Sequence, residues 1–187
     1  MPRPLLRDRQ LVQDDWRYAE ELGAATHTEP GAVPIGAPSA DSAVILGFDQ
    51  WRAERDVWVA RLGRAHGAKK ASEVKGLRLG VVLLPEHQVE QLAPDLACFS
   101  LLACRFSGPS EGRGYTQGRL LRERYDFQGE LRATGYVRID QLFFLARCGF
   151  NSFELAEGDL ADAGAAFSTF TAAYQPANDR GLAAKLV

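Results

Sequence analysis

The chain has 187 residues, of which 46% are hydrophobic and 25% charged, and its formal net charge is −2. This length and composition are typical of one globular domain and exclude a disordered chain. The weak net charge disfavours general binding to nucleic acid, and the longest apolar stretch, residues 96–104, is far shorter than the roughly 20 residues of a membrane span.

Residues 1–42 are predicted to form an N-terminal arm followed by a connector rich in proline and glycine. Apolar pairs at residues 5–6 and 11–12 flank a polar segment, which indicates a short β-hairpin. A helical turn is predicted over residues 15–21. Residues 23–42 contain three prolines and three glycines, a composition typical of an extended connector on the protein surface.

Residues 43–174 are predicted to form a single α/β domain, and residues 175–187 a frayed tail. Five strands are expected, at residues 43–46, 77–84, 98–106, 130–137 and 152–155. Helices are expected between and after them, at residues 49–62, 89–97, 115–125, 138–148 and 160–174. The alternation of strands and helices, joined by short connections, predicts a mainly parallel sheet of about five βα units. This sheet is open or partly curled, with the N-terminal hairpin as an arm.

Ligands of α/β proteins usually bind at the carboxyl ends of the strands, which draws attention to the loop after the third strand. A glycine-rich turn there precedes a helix, whose free backbone N–H groups and dipole favour an anion, and nearby arginines offer bidentate contacts. The predicted anion-binding residues are Gly112, Arg113, Gly114, Tyr115 and Arg119. The predicted supporting residues are Arg105, Glu111, Arg138 and Asp140.

The same loop has a second interpretation, a tight turn whose solvated arginines pair with Glu111, Glu123 and Asp126. Its glycine spacing departs from the dinucleotide-binding fingerprint, and no lysine of the phosphate-binding loop type is nearby. The residues therefore identify no cofactor and no catalytic group.

The three cysteines, Cys98, Cys104 and Cys148, are odd in number and widely spaced, unlike a disulfide framework. They also lack the spacing of a zinc or iron–sulfur site, so no metal site is predicted. Together with an N-terminal segment that lacks the apolar run of a signal peptide, they favour a cytoplasmic location.

Longer motifs extend from the glycine-rich loop to the end of the last predicted strand. They are Gly112-Arg113-Gly114-Tyr115, Arg119-Leu120-Leu121-Arg122-Glu123-Arg124, Gly129-Glu130-Leu131-Arg132-Ala133, Asp140-Gln141-Leu142-Phe143 and Arg147-Cys148-Gly149-Phe150. With Asp14-Asp15-Trp16 near the start, they make the chain similar to an uncharacterised bacterial family. That family is a domain of unknown function usually encoded beside assimilatory sulfite reductase. Two positions depart from its usual pattern, because Glu111 and Tyr136 stand where its members carry aspartate.

Members of that family are labelled as oxidoreductases involved in sulfite reduction. The resemblance implies a cytoplasmic accessory role in sulfate assimilation, in support of electron delivery, with sulfite reductase or its electron donor as the partner. An adaptor is as consistent with it as an enzyme. The residues by themselves leave another function open, that of a small α/β enzyme or binding protein for a phosphorylated or sulfated metabolite.

Overall fold

A computed structural model describes residues 4–22, 42–66, 78–167 and 177–178. Its strands are β1 (Pro4–Arg7), β2 (Gln10–Gln13), β3 (Trp16–Tyr18), β4 (Ala43–Gly47), β5 (Arg78–Leu83), β6 (Leu101–Phe106), β7 (Glu130–Gly135) and β8 (Ser152–Phe153). Its α-helices are α1 (Phe48–His66), α2 (Arg113–Glu123), α3 (Leu142–Arg147), α4 (Glu157–Leu160) and α5 (Ala163–Ala166). Short 3₁₀ helices cover Ala19–Leu22, Val89–Cys98 and Ile139–Gln141.

All eight strands belong to one sheet, in the order β2-β1-β8-β7-β6-β5-β4-β3. Strands β3 to β8 run parallel to one another, whereas β1 runs antiparallel to both β8 and β2. The N-terminal hairpin thus extends the sheet at one edge, and β3 forms the other edge.

The two faces of the sheet carry side chains of different size, as β5 illustrates. Leu79, Val81 and Leu83 are fully buried in the main core, to which α1, α2, α3 and α5 all contribute. The alternate residues Gly80 and Val82 face the other way, because successive side chains of a strand point to opposite faces. That second face holds a smaller apolar cluster formed by Trp16, Ala43, Ile45, Leu101 and Ala103. The helices of the described segments therefore lie on one face of the sheet.

The sheet curls around this second face. Tyr18 on β3 places its hydroxyl oxygen 3.4 Å from Oγ1 of Thr134 on β7. These strands are four positions apart, which would be about 19 Å in a flat sheet at about 4.8 Å per strand. Small residues permit the curvature: a Cβ atom on Gly80 would lie 2.9 Å from the Leu101 side chain. The result is a partial barrel with a concave inner face.

The α/β class, the mainly parallel sheet and the partial curl agree with the sequence prediction. The strand number was wrong, because eight strands form a mixed sheet where about five parallel ones were expected. The helical turn expected over residues 15–21 was also wrong at its start, since Trp16–Tyr18 is a strand. The predicted hairpin exists, but it is a part of the sheet. The connector at residues 23–41 and nearly all of the tail lie outside the described residues.

Candidate functional site

A cavity of about 580 Å³ opens on the concave face, at the end of the partial barrel where the parallel strands terminate. Its walls come from β1, β3, β5, β6, β7 and the segments that follow β3 and β8. The residues that line it are Pro4, Leu5, Asp14, Tyr18, Glu20, Val82, Arg105, Thr134, Gly135, Glu154, Leu155 and Ala156. Carboxyl ends of parallel strands are the usual place for ligands in α/β folds.

Arg132 on β7 lies below this cavity and is completely buried. Both of its terminal nitrogens donate hydrogen bonds to Asp14, at 2.8 and 2.9 Å. The guanidinium also bonds to Glu130 at 2.8 Å and to Glu154 at 3.1 Å. Burial tends to lower the pKa of Arg132, but the hydrogen bonds to Asp14 and the charge of Glu130 outweigh it, so its pKa is raised. Arg132 is therefore a permanent cation that holds three separate chain segments together.

Side chains along β7 alternate between the two faces of the sheet, and this alternation places charged groups on the concave face. Leu131 and Ala133 are fully buried in the main core, while Glu130, Arg132 and Thr134 alternate with them and face the concave side. The side chains of Glu130, Arg132 and Thr134 all find partners, as buried polar groups must if they are not to cost several kcal/mol.

Tyr18 and Thr134 complete the network around Glu154. The Tyr18 hydroxyl donates to Oε1 of Glu154 at 2.9 Å, and the Thr134 hydroxyl donates to Oε2. Burial, reinforced by the negative charge of Glu154, raises the pKa of Tyr18. Tyr18 thus remains protonated at neutral pH, and it serves as a hydrogen-bond donor instead of a base.

Arg105, at the rim of the cavity, differs from Arg132 in having an exposed guanidinium. No ion pair or hydrogen bond joins its side chain to any residue in the described parts of the chain. Gly135 beside it has φ +85°, and a Cβ atom there would lie 2.4 Å from the backbone oxygen of Phe106 and 3.1 Å from Cγ of Arg105. Glycine is therefore required at this point of the rim.

The predicted anion-binding loop is arranged differently from the cavity. Arg113 donates to its neighbour Glu111 at 2.9 and 2.7 Å, and Arg119 pairs with Glu123 at 2.9 Å one helical turn away. These hydrogen bonds to Arg113 lower the pKa of Glu111 to about 2. The arginine side chains are 62% and 61% exposed, and neither lines the cavity. The pairing with Glu111 and Glu123 matches the second interpretation of the loop, and anion binding there stays a prediction.

The loop glycines have a packing role. A Cβ atom on Gly114 would lie 2.6 Å from the ring of Phe106, and one on Gly118 would lie 2.3 Å from the ring of Phe150. Both contacts are too short for a carbon atom, so glycine allows α2 to lie close to the sheet. Tyr115 packs edge-on against Phe106, with ring centres 5.3 Å apart.

The remaining predicted residues are dispersed. Arg138 pairs with Asp159 at 3.4 Å, and Asp140 is exposed at the start of a 3₁₀ helix. Gly112 precedes α2 and is exposed. Of the nine predicted site residues, Arg105 lines the cavity and the other eight do not.

Sequence reasoning missed most of the inner-face network: Asp14, Tyr18, Glu130, Arg132, Thr134 and Glu154. One signal was available, since Glu130-x-Arg132-x-Thr134 places polar residues at every second position of a predicted strand. Tyr18 gave no such signal, because residues 15–21 are predicted to form a helical turn.

Another buried arginine, Arg122 on α2, illustrates a purely structural arrangement. Its guanidinium donates to the backbone oxygens of Gly149 and Gly129, both at 3.0 Å, and to that of Phe127. It therefore fastens the loops at the amino ends of β7 and β8. This contrast sets Arg105 apart, since its guanidinium is directed to no group of the described chain.

In the described segments, no three His, Cys, Asp or Glu side chains come together so as to hold a metal ion. None of the described helices is long and apolar enough to cross a bilayer.

Comparison with known protein families identifies a match. A family model for a bacterial protein of unknown function (DUF934) covers residues 80–184, which is more than half of the chain. The matched segment begins within β5 and includes Arg105, Arg132, Thr134 and Glu154. No curated protein matches the sequence. The chain therefore belongs to the DUF934 family of bacterial proteins of unknown function.

Proposed function

We propose that the protein binds a small metabolite with an anionic group in the cavity at the carboxyl ends of its strands, as an accessory of assimilatory sulfite reduction. The binding part of the proposal rests on one observation. Arg105 presents an exposed guanidinium to a cavity, and no residue in the described segments neutralises it.

A guanidinium with this freedom suits a planar or tetrahedral oxyanion. Its donors form a fixed fork that matches carboxylate, phosphate or sulfate in bidentate fashion. The cavity volume of about 580 Å³ lies within the range of about 300–1,000 Å³ that small-molecule sites occupy. A ligand of metabolite size therefore fits, and a bare ion would fill only a part of the space.

The buried network supports binding by keeping the cavity wall rigid. Arg132 joins the segment before β3, β7 and the segment after β8 through bonds of 2.8 to 3.1 Å. Side chains that are already ordered lose less conformational entropy when a ligand binds. Such a wall favours a preformed site over one that assembles around its ligand.

Ligand-induced thermal stabilisation tests the binding part. Phosphate, sulfate and sulfite are titrated into the wild type, Arg105→Gln and the matched control Arg119→Gln, whose native side chain pairs with Glu123 away from the cavity. At 100-fold excess over Kd, a ligand stabilises the folded state by about 2.7 kcal/mol. Arg105→Gln is expected to lose this effect, and Arg119→Gln to keep it. An unchanged effect in Arg105→Gln would refute the cavity as the site.

Arg113→Gln is included because the loop before α2 remains the alternative anion site. Loss of stabilisation in that variant, with Arg105→Gln unaffected, would move the ligand to the loop. Parallel loss in both variants would also count against the cavity, since Arg113 does not line it.

The link to sulfite reduction rests on the resemblance to family members encoded beside sulfite reductase, since the matching family model is itself one of unknown function. A strain without the gene should require cysteine and should recover when sulfide is supplied, because sulfide enters after the proposed step. Complementation with Arg105→Gln should fail if the cavity is needed. Normal growth of the deletion strain on sulfite would refute the pathway assignment.

The visible spectrum of the protein purified from its native host separates two forms of this role. A flavin band would favour an oxidoreductase that helps to deliver electrons to the reductase. A featureless spectrum would favour an adaptor or binding protein that meets sulfite reductase or its electron donor.

A further inference from the structure

Two charged side chains that line the cavity have no hydrogen-bond or ion-pair partner in the described segments, and their charges have opposite signs. Asp14 and Glu154 are both bonded to Arg132. Glu20, by contrast, is exposed, lines the cavity and makes no ion pair or hydrogen bond within residues 4–22, 42–66 and 78–167. The cavity thus offers one cation, Arg105, and one anion, Glu20, that have no partner in the described segments.

These two groups come from distant parts of the sheet. Arg105 is on β6, and Glu20 is in the 3₁₀ turn that directly follows the edge strand β3. In a flat sheet these strands would be three positions apart, about 14 Å at about 4.8 Å per strand. The curl that brings the Tyr18 hydroxyl to Glu154 turns the β3 edge toward the opposite wall, so that both charged side chains border one cavity.

Two of the carboxylates that line the cavity, Asp14 and Glu154, belong to a network with an excess of negative charge. Three carboxylates, those of Asp14, Glu130 and Glu154, meet two guanidinium groups, those of Arg132 and Arg7. The formal charges of this network leave one negative charge in excess. A cation next to Glu154, which is 24% exposed, would balance it.

We propose that the ligand is a zwitterion of the α-amino acid class, with its carboxylate at Arg105 and its ammonium group toward Glu20 and Glu154. This inference rests on the proposed function and specifies the second charge that the ligand carries. A single anion would satisfy Arg105 and leave Glu20 without a partner, whereas a zwitterion satisfies both.

The size of the cavity agrees with this class. Its volume of about 580 Å³ lies inside the range of about 300–1,000 Å³ that small-molecule sites occupy. That space accommodates an amino acid together with its side chain. The apolar wall of Leu5, Val82 and Leu155 lies beside the charged groups and suits the aliphatic part of such a ligand.

Matched probes test the inference. The twenty standard amino acids are screened by thermal shift on the full chain, and the strongest binder is compared by calorimetry with its analogue lacking the amino group and its analogue lacking the carboxylate. The zwitterion should bind at least tenfold more tightly than either analogue. Equal affinity of the deaminated analogue would overturn the inference, as would the absence of any amino acid that binds.

Variants separate this inference from the proposed function. Glu20→Gln should reduce affinity for the amino acid to that of the deaminated analogue, whose own affinity should not change. Arg105→Gln should lose affinity for both the amino acid and the deaminated analogue. Glu90→Gln, which alters an exposed glutamate outside the cavity, is the control and should change neither.

Each failure has its own signature. If Glu20→Gln binds the amino acid as tightly as the wild type, the zwitterion is wrong while binding of an anionic group at Arg105 stands. If phosphate, sulfate, sulfite and the amino acids all bind without dependence on Arg105, the proposed function fails first and the zwitterion fails with it.

Discussion

Replacing the buried Arg132 with methionine should destabilise the protein strongly, because three carboxylates share this cation. The Arg132 side chain is 0% exposed and that of Asp14 is 2% exposed, so Asp14 would be left as a buried charge without its partner. Removal of one member of a buried ion pair typically costs 3–5 kcal/mol. Glu130 and Glu154, at 10% and 24%, are closer to solvent and should add less.

Urea denaturation followed by circular dichroism measures this loss. For a chain of this size, about 3–5 kcal/mol corresponds to a fall in melting temperature of roughly 6–20 °C. Arg119→Met is the matched control. Arg119 forms an exposed ion pair with Glu123 one helical turn away, and this pair should contribute about 0.3–0.5 kcal/mol to the free energy of unfolding.

The double variant Arg132→Met/Asp14→Leu tests the mechanism. Since apolar residues often replace a buried ion pair at little cost, the two changes together should destabilise less than the sum of the single changes, by about 0.5–3 kcal/mol. A loss below about 1 kcal/mol for Arg132→Met, or strict additivity in the double variant, would refute the view that this network holds the curl of the sheet.

Three further outcomes are expected. Gly118→Ala should destabilise the fold by about 1–3 kcal/mol, because its Cβ atom would lie 2.3 Å from Phe150. In Gly63→Ala on α1 the added Cβ atom meets nothing within 4 Å, so this variant should stabilise the fold by up to about 1 kcal/mol. Unfolding curves for both variants check these two expectations. The pKa of Glu111 is lowered to about 2, so its contribution to stability is present above its ordinary pKa of 4.5 and is lost as the pH falls toward 2; Glu111→Gln and the wild type should therefore differ in unfolding at neutral pH and converge in acid. Burial raises the pKa of Cys104 to about 12, so a thiol reagent at pH 8 should label this residue only as fast as the protein opens, and rapid labelling of folded protein would contradict its position in the core.

Much of the secondary structure was predictable because its signals are local. The near-continuous apolar run at β5 and the stripe of Leu142 and Ala146 on α3 depend only on residues a few positions apart. The mainly parallel direction of the strands followed from the short connections between them. The placement of β3 could not be predicted, since three residues are too few to show the alternation of side chains that is typical of a strand.

The end of the sheet at which the cavity opens was predictable, but the residues that line the cavity were not. Arg105 was predicted as a supporting residue of the loop after the third strand, because ligands usually bind at strand ends. Arg132 and its partner Asp14 are 118 positions apart, and the hydroxyls of Tyr18 and Thr134 are brought together across 116 positions. No local pattern encodes contacts of that separation.

The sequence alone indicated most of the segments that become strands and helices, which of their faces are apolar, and which bacterial family the chain belongs to. Tertiary structure decided that the sheet curls into a partial barrel, and it thereby chose the residues that meet in the cavity. The physical reason is that periodicity is a property of neighbouring residues, whereas curvature arises where small residues such as Gly80 and Ala103 line one face. Long-range bonds from Arg132 then hold that curvature in place.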